Sequence, residues 1–511
     1  MKFVTAADMR EGEGGAILRD PPLGLAMMDR AGRGLAQAIA FVAAQAGEAR
    51  AAVRLLAGPG NNGGDAFAAA LHLRGMGLAP EVWIACPADK LKGSAKVFFG
   101  RMAGAGVPCR ELAAEADWDG ADAEAAPPRI LVDGLLGTGA AGAPTGAIRR
   151  AIAYLRARRE ASLVVSADLP SGMQADSGES PECAVIADLT VTMGFPKAGM
   201  AAPEALEALG SLWLAEIGLP ADCAEAIPDA RPDLRWISAA DVRRILPRRA
   251  RVSHKGTHGR ALLMGGSKAY PGAIALATEG ALRSGAGLVR VATVEAAVPA
   301  VLARAPEAIV GADLSADLPL EGIDAALLGP GLGRDPEARR LVARLLHETP
   351  CPLVLDADAI AVMEGKPEAV RPCAQPVVLT PHPGELARLL GRDAAAIQRD
   401  RSAAVREAAE RTGAIVALKG AGTLVAASGA PAWINLNGNP GMACGGSGDV
   451  LAGLLAGLLA QRIDPFEAAC AAVWLHGAAG DIAAWRHTQA AMTAGDIVRA
   501  LPAAFRQVGP R

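Results

Sequence analysis

One glycine-rich run in this chain leads directly to a carboxylate at the start of an apolar stretch. The run begins at Gly438, ends at Asp449 and is followed by Val-Leu-Ala-Gly. Glycines let backbone N–H groups approach an anion closely, and a helix N-terminus adds partial positive charge. A carboxylate there can act as a base on a hydroxyl beside a phosphate. The pattern predicts phosphoryl-transfer chemistry with Asp449 as the base.

Five other segments of the second half carry glycine, histidine or lysine near predicted strand ends. They are His254–Gly259, Gly265–Ala273, Gly329–Gly333, Thr380–Glu385 and Lys419–Thr423. Each is a weak signal alone, because Gly329–Gly333 is an ordinary turn pattern and a histidine before proline is usually structural. Ligands of parallel α/β sheets bind at the carboxyl ends of strands. We therefore expect the five segments to surround Asp449 in one active site.

The first half has its own glycine loop, Gly58–Asp65, between a predicted strand and a helix. A tight turn with Asp65 as a helix cap is the simpler interpretation. So many glycines and asparagines cost backbone entropy that a plain turn does not require. The loop therefore favours a ligand site at a helix N-terminus.

Two later loops follow strands of the same half, Asp133–Gly142 and Asp168–Gly172. Asp133 alone could be a strand-end cap. Together with Asn62 and Ser171 it offers oxygen ligands for a hard cation. Asp168 could reach a substrate hydroxyl or act as a base.

The bulk composition leaves small-molecule chemistry as the expectation. The 511 residues are 51% hydrophobic and 21% charged, with 54 acidic and 51 basic residues. That balance does not favour nucleic-acid binding. The eight cysteines form no Cys-x-x-Cys pair, so we expect neither a disulfide framework nor a zinc site. We see no signal-peptide pattern and no run of about 18 apolar residues, and we expect a cytoplasmic protein without membrane contact.

Short apolar runs alternate with helical patterns in both halves, which predicts two α/β domains with parallel sheets. The predicted strands of the first half are Val53–Ala57, Glu81–Ala85, Ile130–Val132, Leu163–Ser166 and Leu189–Thr192. Those of the second half are Ala261–Met264, Leu288–Val291, Ala325–Leu328, Leu353–Leu355, Val377–Leu379 and Ile415–Leu418. A Pro-punctuated stretch divides them, so we predict domains at 1–222 and 236–511 with a linker at 223–235.

The three loops of the first half resemble the YjeF N-terminal domain, which epimerises hydrated NADH and NADPH, over most of residues 1–220. The resemblance implies a Rossmann-like three-layer sandwich, a potassium ion on Asn62, Asp133 and Ser171, and Asp168 as the catalytic carboxylate in contact with substrate. Ala66 stands where the family often has glycine. The implied contacts to the nicotinamide nucleotide are Asn61, Asn62, Gly63, Gly64, Asp65, Gly137, Thr138, Gly139, Ala140, Ala141, Gly142, Ala143 and Asp168.

The motifs of the second half resemble the ribokinase-like domain that dehydrates hydrated NADH and NADPH with ADP or ATP, over roughly residues 236–505. The resemblance implies that Ala273, Gly331, His382 and Asp449 contact the hydrated nicotinamide. Cys444 and Ser447 occupy places that are usually threonine, and only Ser447 keeps a hydroxyl. The implied adenine-nucleotide contacts are Lys419, Gly420, Ala421, Gly422, Thr423 and Gly448.

These resemblances imply one repair enzyme for damaged nicotinamide cofactors. Phosphorylation converts the hydroxyl into a phosphate that the ring nitrogen expels, with Mg²⁺ and loop N–H groups offsetting the charge. The epimerase converts the R hydrate into the S hydrate, which the dehydratase uses with release of phosphate. We expect small-molecule substrates, no nucleic-acid partner and a homo-oligomer. The alternatives are a ribokinase-class small-molecule kinase with a fused nucleotide-binding domain, and a cofactor-sensing module without turnover.

Overall fold

A computed structural model describes residues 1–48, 50–122, 127–140, 142–181, 183–315 and 317–509. It divides into two compact units, Met1–Pro232 and Asp233–Arg511. Both units are built from strands and helices that alternate along the chain, so the predicted α/β class is confirmed. No helix in these described ranges is long and apolar enough to cross a membrane.

The first unit contains a seven-stranded parallel sheet within the described residues, in the order β3-β2-β1-β4-β5-β6-β7. The strands are β1 Ala52–Ala57, β2 Ala79–Ile84, β3 Cys109–Glu111, β4 Ile130–Gly134, β5 Leu163–Ala167, β6 Leu189–Met193 and β7 Ser211–Ala215. The helices are Ala6–Arg19, Leu23–Gln45, Asn61–Gly75, Gly93–Gly104, Asp117–Asp122, Gly146–Arg158, Leu206–Leu209 and Ala221–Ala226. The residues of β4 and β6 are all buried, because helices cover both faces of a parallel sheet.

The second unit contains a ten-stranded sheet within the described residues, in the order β11-β10-β9-β12-β13-β14-β15-β16-β17-β8. The strands are β8 Leu234–Trp236, β9 Arg260–Met264, β10 Leu288–Ala292, β11 Ile309–Gly311, β12 Ala325–Leu328, β13 Leu353–Leu355, β14 Val377–Leu379, β15 Ile415–Leu418, β16 Thr423–Ala426 and β17 Ala432–Asn435. Strands β9 to β15 run parallel, β16 is antiparallel to both of its neighbours, and β8 is parallel to β17.

Two helices of the second unit, 271–283 and 447–460, pack closely against each other. The helices of this unit within the described residues are Ala239–Ile245, Pro271–Arg283, Val298–Arg304, Pro336–Glu348, Asp358–Ala361, Pro383–Leu390, Ala394–Arg399, Arg401–Thr412, Ser447–Ala460, Pro465–His487 and Ala494–Gln507. A Cβ atom on Gly453 would overlap the carbonyl oxygen of Ala277, and one on Gly280 would overlap that of Val450. The close approach of helices 271–283 and 447–460 therefore requires glycine, and it fixes the position of Asp449.

The segment that we predict as a linker is largely structured. Residues 221–226 form a helix, and the N–H of Ala230 donates to the carbonyl of Phe3 at 2.9 Å. Ile227 is buried, and the Lys2 ammonium donates to its carbonyl at 2.5 Å. This part of the segment packs on the first unit, whereas β8 belongs to the second sheet.

Candidate active sites

The glycine loop of the first unit lies where the strand order reverses, between β1 and β4. The Gly58 N–H donates to the carbonyl of Gly134 at 3.0 Å. A Cβ on Gly58 would overlap the carbonyl oxygen of Leu135, and one on Gly63 would overlap that of Gly58. Helix 61–75 begins within this segment, directly after its N-cap Gly60, so residues 61–65 form its first turn at this edge of the sheet. Such a switch point is where open parallel sheets bind nucleotides.

The predicted cation ligands meet around the backbone of Leu136. The Asn62 amide donates to the Leu136 carbonyl at 2.8 Å, and the Leu136 N–H donates to the Ser171 hydroxyl at 2.9 Å. Asp133 accepts hydrogen bonds from the Ser171 N–H at 2.8 Å, the Ser171 hydroxyl at 2.5 Å and the Ser166 hydroxyl at 2.9 Å. Asp133 is completely buried, and burial raises the pKa of its carboxyl.

One oxygen in this cluster has no partner. The side-chain oxygen of Asn62 is buried and makes no hydrogen bond. A buried amide oxygen without a partner is rare in folded proteins, and a bound ion can satisfy such an oxygen. An oxygen-lined pocket of this kind fits a hard cation such as potassium.

Asp168 adopts an unusual backbone conformation at the end of β5. Its φ of 63° is in the left-handed region, which is uncommon for a residue other than glycine. Its Oδ1 accepts from the Met193 N–H at 3.1 Å and pairs with the ammonium of Lys197. Lys197 is buried and also donates to the Thr192 hydroxyl at 3.1 Å. The strain and the ion pair hold the Asp168 carboxylate at the carboxyl edge of the sheet.

Asp65 does not cap the helix, contrary to the simpler interpretation of its motif. Gly60 is the N-cap, and Asp65 lies on the helix with only 9% of its surface exposed. Burial, and then the negative charges of Asp168 and Glu13, raise its pKa well above the ordinary value. Buried acids with strongly shifted pKa values are typical of functional sites.

The loop that follows β4 lies beside Asn62. A Cβ on Gly137 would be 3.4 Å from the Asn62 Cβ, and the Thr138 carbonyl accepts from Arg10 at 2.5 Å. Gly139, Ala140, Gly142 and Ala143 are exposed, and Ala141 lies outside the described residues. Asn61 is exposed, whereas Asn62, Gly63 and Gly64 are buried.

In the second unit, Asp449 lies in the first turn of helix 447–460, directly after the glycine loop. Gly446 is its N-cap, and a φ of 90° requires glycine there. Burial raises the pKa of Asp449 to about 7, and the neighbouring carboxylate of Asp356 acts in the same direction. A carboxyl with a pKa near neutrality can exchange protons in either direction at physiological pH.

A lysine links three of the loops to Asp449. The Lys419 ammonium lies 2.7 Å from Oδ1 of Asp356 and 3.9 Å from Oε2 of Glu385. A Cβ on Gly448 would lie 3.2 Å from the same nitrogen. Burial lowers the pKa of Lys419, but Asp356 and Glu385 outweigh burial and raise it. Lys419 is therefore a fixed positive charge beside the glycine loop.

The loops after β9 and β12 also converge. The Gly266 N–H donates to the Pro330 carbonyl at 2.8 Å. A Cβ on Gly331 would be 2.7 Å from the Tyr270 carbonyl and 3.1 Å from the Ala273 Cβ. The predicted substrate contacts Ala273 and Gly331 are therefore neighbours.

His382 caps helix 383–390. Its Nδ1 accepts from the Gly384 N–H at 3.0 Å, and Nε2 lies 3.4 Å from Glu385. The side chain is 51% exposed, so part of the ring is accessible to a ligand. Partial burial lowers the pKa of the imidazole, so the neutral form of His382 is favoured.

A partly buried arginine donates hydrogen bonds to the backbone of the predicted nucleotide loop. Arg401 donates to the carbonyls of Leu418 and Lys419, both at 3.2 Å, and burial lowers its pKa. The Thr423 hydroxyl donates to the Gly420 carbonyl at 2.9 Å and closes the turn. Gly420 and Ala421 are exposed, and Gly422 is partly exposed.

The two departures from threonine lie in different environments. The Ser447 hydroxyl is buried and lies 3.4 Å from Nε2 of His476, whose pKa burial lowers to about 4. Cys444 is partly exposed in the loop, and burial raises its pKa. Ser447 therefore has a neutral imidazole as its partner.

The expectation that five segments surround Asp449 is wrong for His254–Gly259. This segment precedes β9, and a Cβ on Gly259 would overlap the carbonyl oxygen of Ala460. Ala460 ends the helix that carries Asp449, about 16 Å away at 1.5 Å per residue. The segment therefore lies at the amino end of the strand, opposite the active site.

Several charged partners of the sites were not predicted from the sequence, among them Asp356 and Lys197. Asp356 follows β13 directly and accepts from the Thr380 hydroxyl at 2.8 Å, and Lys197 pairs with Asp168. Asp356 could have been predicted as a site residue, because it is a carboxylate at the end of an apolar run and ligands bind at the carboxyl ends of parallel strands. Lys197 carries no comparable signal, since it lies 29 residues after its partner.

The folds and the two candidate sites define a two-unit α/β enzyme, with a glycine loop at the sheet's switch point in one unit and a glycine loop that precedes Asp449 in the other. A family model described as YjeF-related protein N-terminus matches residues 24–199, and one described as NAD(P)H-hydrate dehydratase matches residues 261–503. The chain belongs to the family of bifunctional NAD(P)H-hydrate repair enzymes.

Two relatives and one solved structure illustrate the similarity. The chain is 37% identical over 524 residues to the bifunctional NAD(P)H-hydrate repair enzyme Nnr of Moorella thermoacetica, covering 99% of this chain and 97% of the relative. It is 35% identical to the Nnr of Escherichia coli, covering 88% and 84%. It also resembles the crystal structure of the ADP/ATP-dependent NAD(P)H-hydrate dehydratase of Bacillus subtilis co-crystallised with ATP/Mg²⁺. That match has a TM-score of 0.51 and 36% identity, and covers 54% of this chain and 98% of the other.

These similarities confirm the predicted family, the predicted enzyme class and the ribokinase-like fold of the second unit. They do not favour the alternative of a small-molecule kinase.

Proposed function

We propose that the chain repairs hydrated NADH and NADPH in two steps. The first unit interconverts the R and S hydrates. The second unit phosphorylates the hydroxyl of the S hydrate with ADP or ATP, and loss of phosphate restores the reduced nicotinamide. The observation that supports this proposal most directly is Asp449, a partly buried carboxyl with a pKa of about 7 that follows the glycine loop and adjoins Lys419.

The proposed dehydratase roles follow from charge and position. Asp449 takes the proton of the substrate hydroxyl as the oxygen attacks the terminal phosphorus, because its raised pKa makes it a competent base near neutrality. Lys419 and the N–H groups before helix 447–460 offset the charge that builds on the phosphate. Ala273, Gly331 and His382 contact the nicotinamide, and Lys419–Thr423 with Gly448 hold the nucleotide.

Magnesium would be held mainly by the nucleotide. No cluster of three or more His, Cys, Asp or Glu side chains in the described residues could bind a metal. Mg²⁺ usually binds through substrate phosphates plus one or two carboxylates, and Asp356 and Glu385 beside Lys419 fit that requirement. The ion would supply additional positive charge on the phosphates.

In the first unit, we propose that Asn61–Asp65 and Gly137–Ala143 contact the nicotinamide nucleotide and that Asp168 acts on the substrate. Asn62, Asp133 and Ser171 would hold a potassium ion that orders the glycine loop. The unpartnered oxygen of Asn62 supports this assignment.

The decisive experiment incubates the enzyme with a mixture of R and S hydrates of NADH, ADP or ATP, and Mg²⁺. We expect the reduced-nicotinamide absorbance to return with release of one phosphate per substrate, and both epimers to be consumed. Accumulation of a stable phosphorylated product without recovery of absorbance would contradict the proposal.

A further inference from the structure

Three carboxyl groups share the interior of the first site with one ammonium group. Asp168 pairs with Lys197, and Asp65 lies within electrostatic range of Asp168, Glu13 and Lys197. Asp65 and Lys197 are buried, at 9% and 1% exposure. One buried ammonium can balance only one carboxylate, so the remaining carboxyl groups favour their protonated forms. The site therefore retains at least one proton besides those of the lysine.

Glu13 reaches this cluster from the N-terminal helix, Ala6–Arg19. Met9 is buried on that helix, and its methyl carbon would lie 2.6 Å from a Cβ on Gly194, directly after β6. Residues four apart share a helix face, so Glu13 lies on the same side as Met9. Val4, just before the helix, forms a parallel bridge with Lys197. The helix is thus positioned over the carboxyl edge of the sheet, where Asp168 is held.

The three acids differ in environment. Asp168 has the direct ion pair, and Asp65 is the most deeply buried acid of the cluster. Burial raises the pKa of Glu13 to about 7, with Lys197 lowering it and Asp168 raising it. Glu13 is therefore the acid of this cluster that can release and regain a proton near neutral pH.

We propose that Glu13 is the proton donor of the epimerase site and that Asp168 is the carboxylate that receives the proton in return. This inference rests on the proposed epimerase function. The ring-nitrogen lone pair forms a C=N bond as the C–O bond breaks, and the hydroxyl leaves as water with the proton of Glu13. Water then adds to the opposite face, the C=N electrons return to nitrogen, and the excess proton passes to Asp168. Transfer of that proton back to Glu13 completes the cycle, with inversion at carbon as the net change.

The test compares Glu13→Gln with Glu11→Gln, an exposed position on the same helix, in the full-length enzyme. The assay measures epimerisation of the R hydrate above the uncatalysed rate, together with dehydration of the S hydrate by the same molecules. For Glu13→Gln we expect kcat for epimerisation to fall by about 10² to 10⁴ with little change in KM. Dehydration and the Glu11→Gln variant should match the wild type.

The pH profile separates acid catalysis from a structural effect. Glu13 must carry its proton, so wild-type epimerisation should fall as the pH rises through about 7. Glu13→Asp restores a titratable group and should regain part of the rate with the same loss at high pH. Wild-type kcat in Glu13→Gln would overturn the proposal, as would an unchanged fall in rate at high pH in that variant. Failure of the wild type to epimerise would instead remove the proposed function itself.

Discussion

The pKa of Asp449 depends on neighbours that lie outside its sequence motif. The glycine run indicates a helix N-terminus, which would favour the ionised carboxylate. In the folded protein, burial and Asp356 act in the opposite direction and raise the pKa to about 7. Asp356 follows β13 and is distant in sequence, so its effect on Asp449 becomes visible only when the two loops are brought together.

Replacing Asp449 with asparagine tests its role as the base. Asp449→Asn removes the proton acceptor and leaves the glycine loop intact. We expect the dehydration rate to fall by about 10² to 10⁴, with adenine-nucleotide affinity nearly unchanged. Single-turnover kinetics measure the first quantity and titration calorimetry the second. Near-wild-type turnover would refute the assignment.

The pH dependence of dehydration tests the electrostatic cause. Asp449 acts as a base only without its proton, so kcat/KM should rise with pH through about 7. Asp356→Asn removes a negative charge that raises the pKa of Asp449, and the midpoint of the rise should move to lower pH. The midpoint is informative even if the maximum rate of this variant is low. An unmoved midpoint would show that another group controls the profile.

The proposed potassium site can be tested through Asp133, the only full negative charge among its ligands. We expect Asp133→Ala to slow epimerisation and to abolish its dependence on potassium chloride, with dehydration of the S hydrate unchanged. Ser166→Ala is the matched control, because Ser166 donates to Asp133 but is not a proposed ligand. If both variants keep the wild-type response to potassium, Asp133 does not hold the ion.

At the scale of elements, the central parallel strands were predictable, whereas the edge strands and the antiparallel pair β16 and β17 were not. Every predicted strand overlaps an observed one, because buried parallel strands are continuous apolar runs. The missed strand β3 is exposed along its whole length and carries Cys-Arg-Glu, so it has no apolar signal. Strand β16 begins at Thr423, within the segment interpreted as a nucleotide loop. Whether such short strands form depends on the neighbouring strands with which they pair rather than on local composition.

The contact between helices 271–283 and 447–460 yields a stability prediction. Gly453→Ala would place a methyl group against the Ala277 carbonyl. We expect the second unit to lose about 1–3 kcal/mol of unfolding free energy, because overpacking forces the helices apart. Gly272→Ala is the control on helix 271–283, since nothing lies within 4 Å of its added Cβ. Denaturant unfolding monitored in both variants gives the comparison, and equal stability would contradict the close approach.

At the scale of the whole molecule, each unit contains the residues of its own proposed site. The division into Met1–Pro232 and Asp233–Arg511 places the epimerase loops in the first unit and the dehydratase loops in the second. The Pro-punctuated stretch in which we predict the linker, 223–235, includes the division between Pro232 and Asp233. The sequence did not indicate that Ile227 and Ala230 pack on the first unit, because their partners are at the other end of that unit.

A split between Pro232 and Asp233 should therefore yield two folded fragments. The second fragment alone should dehydrate only the S hydrate, and added first fragment should accelerate consumption of the R hydrate. A split after residue 228 is the comparison: it removes the Ala230–Phe3 hydrogen bond and should lower the melting temperature of the first fragment. Inactive or insoluble fragments from the 232/233 split would contradict the independence of the units.

The placement of β8 has a consequence for how the second unit is synthesised. β8 is the first strand of its sheet along the chain, yet it pairs with β17, its last. The ribosome adds about 200 residues between Trp236 and Ala432. At about 5–20 residues per second, β8 waits roughly 10–40 s for its partner. During translation the newly finished first unit is thus followed by an unpaired strand, and β8 joins the sheet only after β17 has been made.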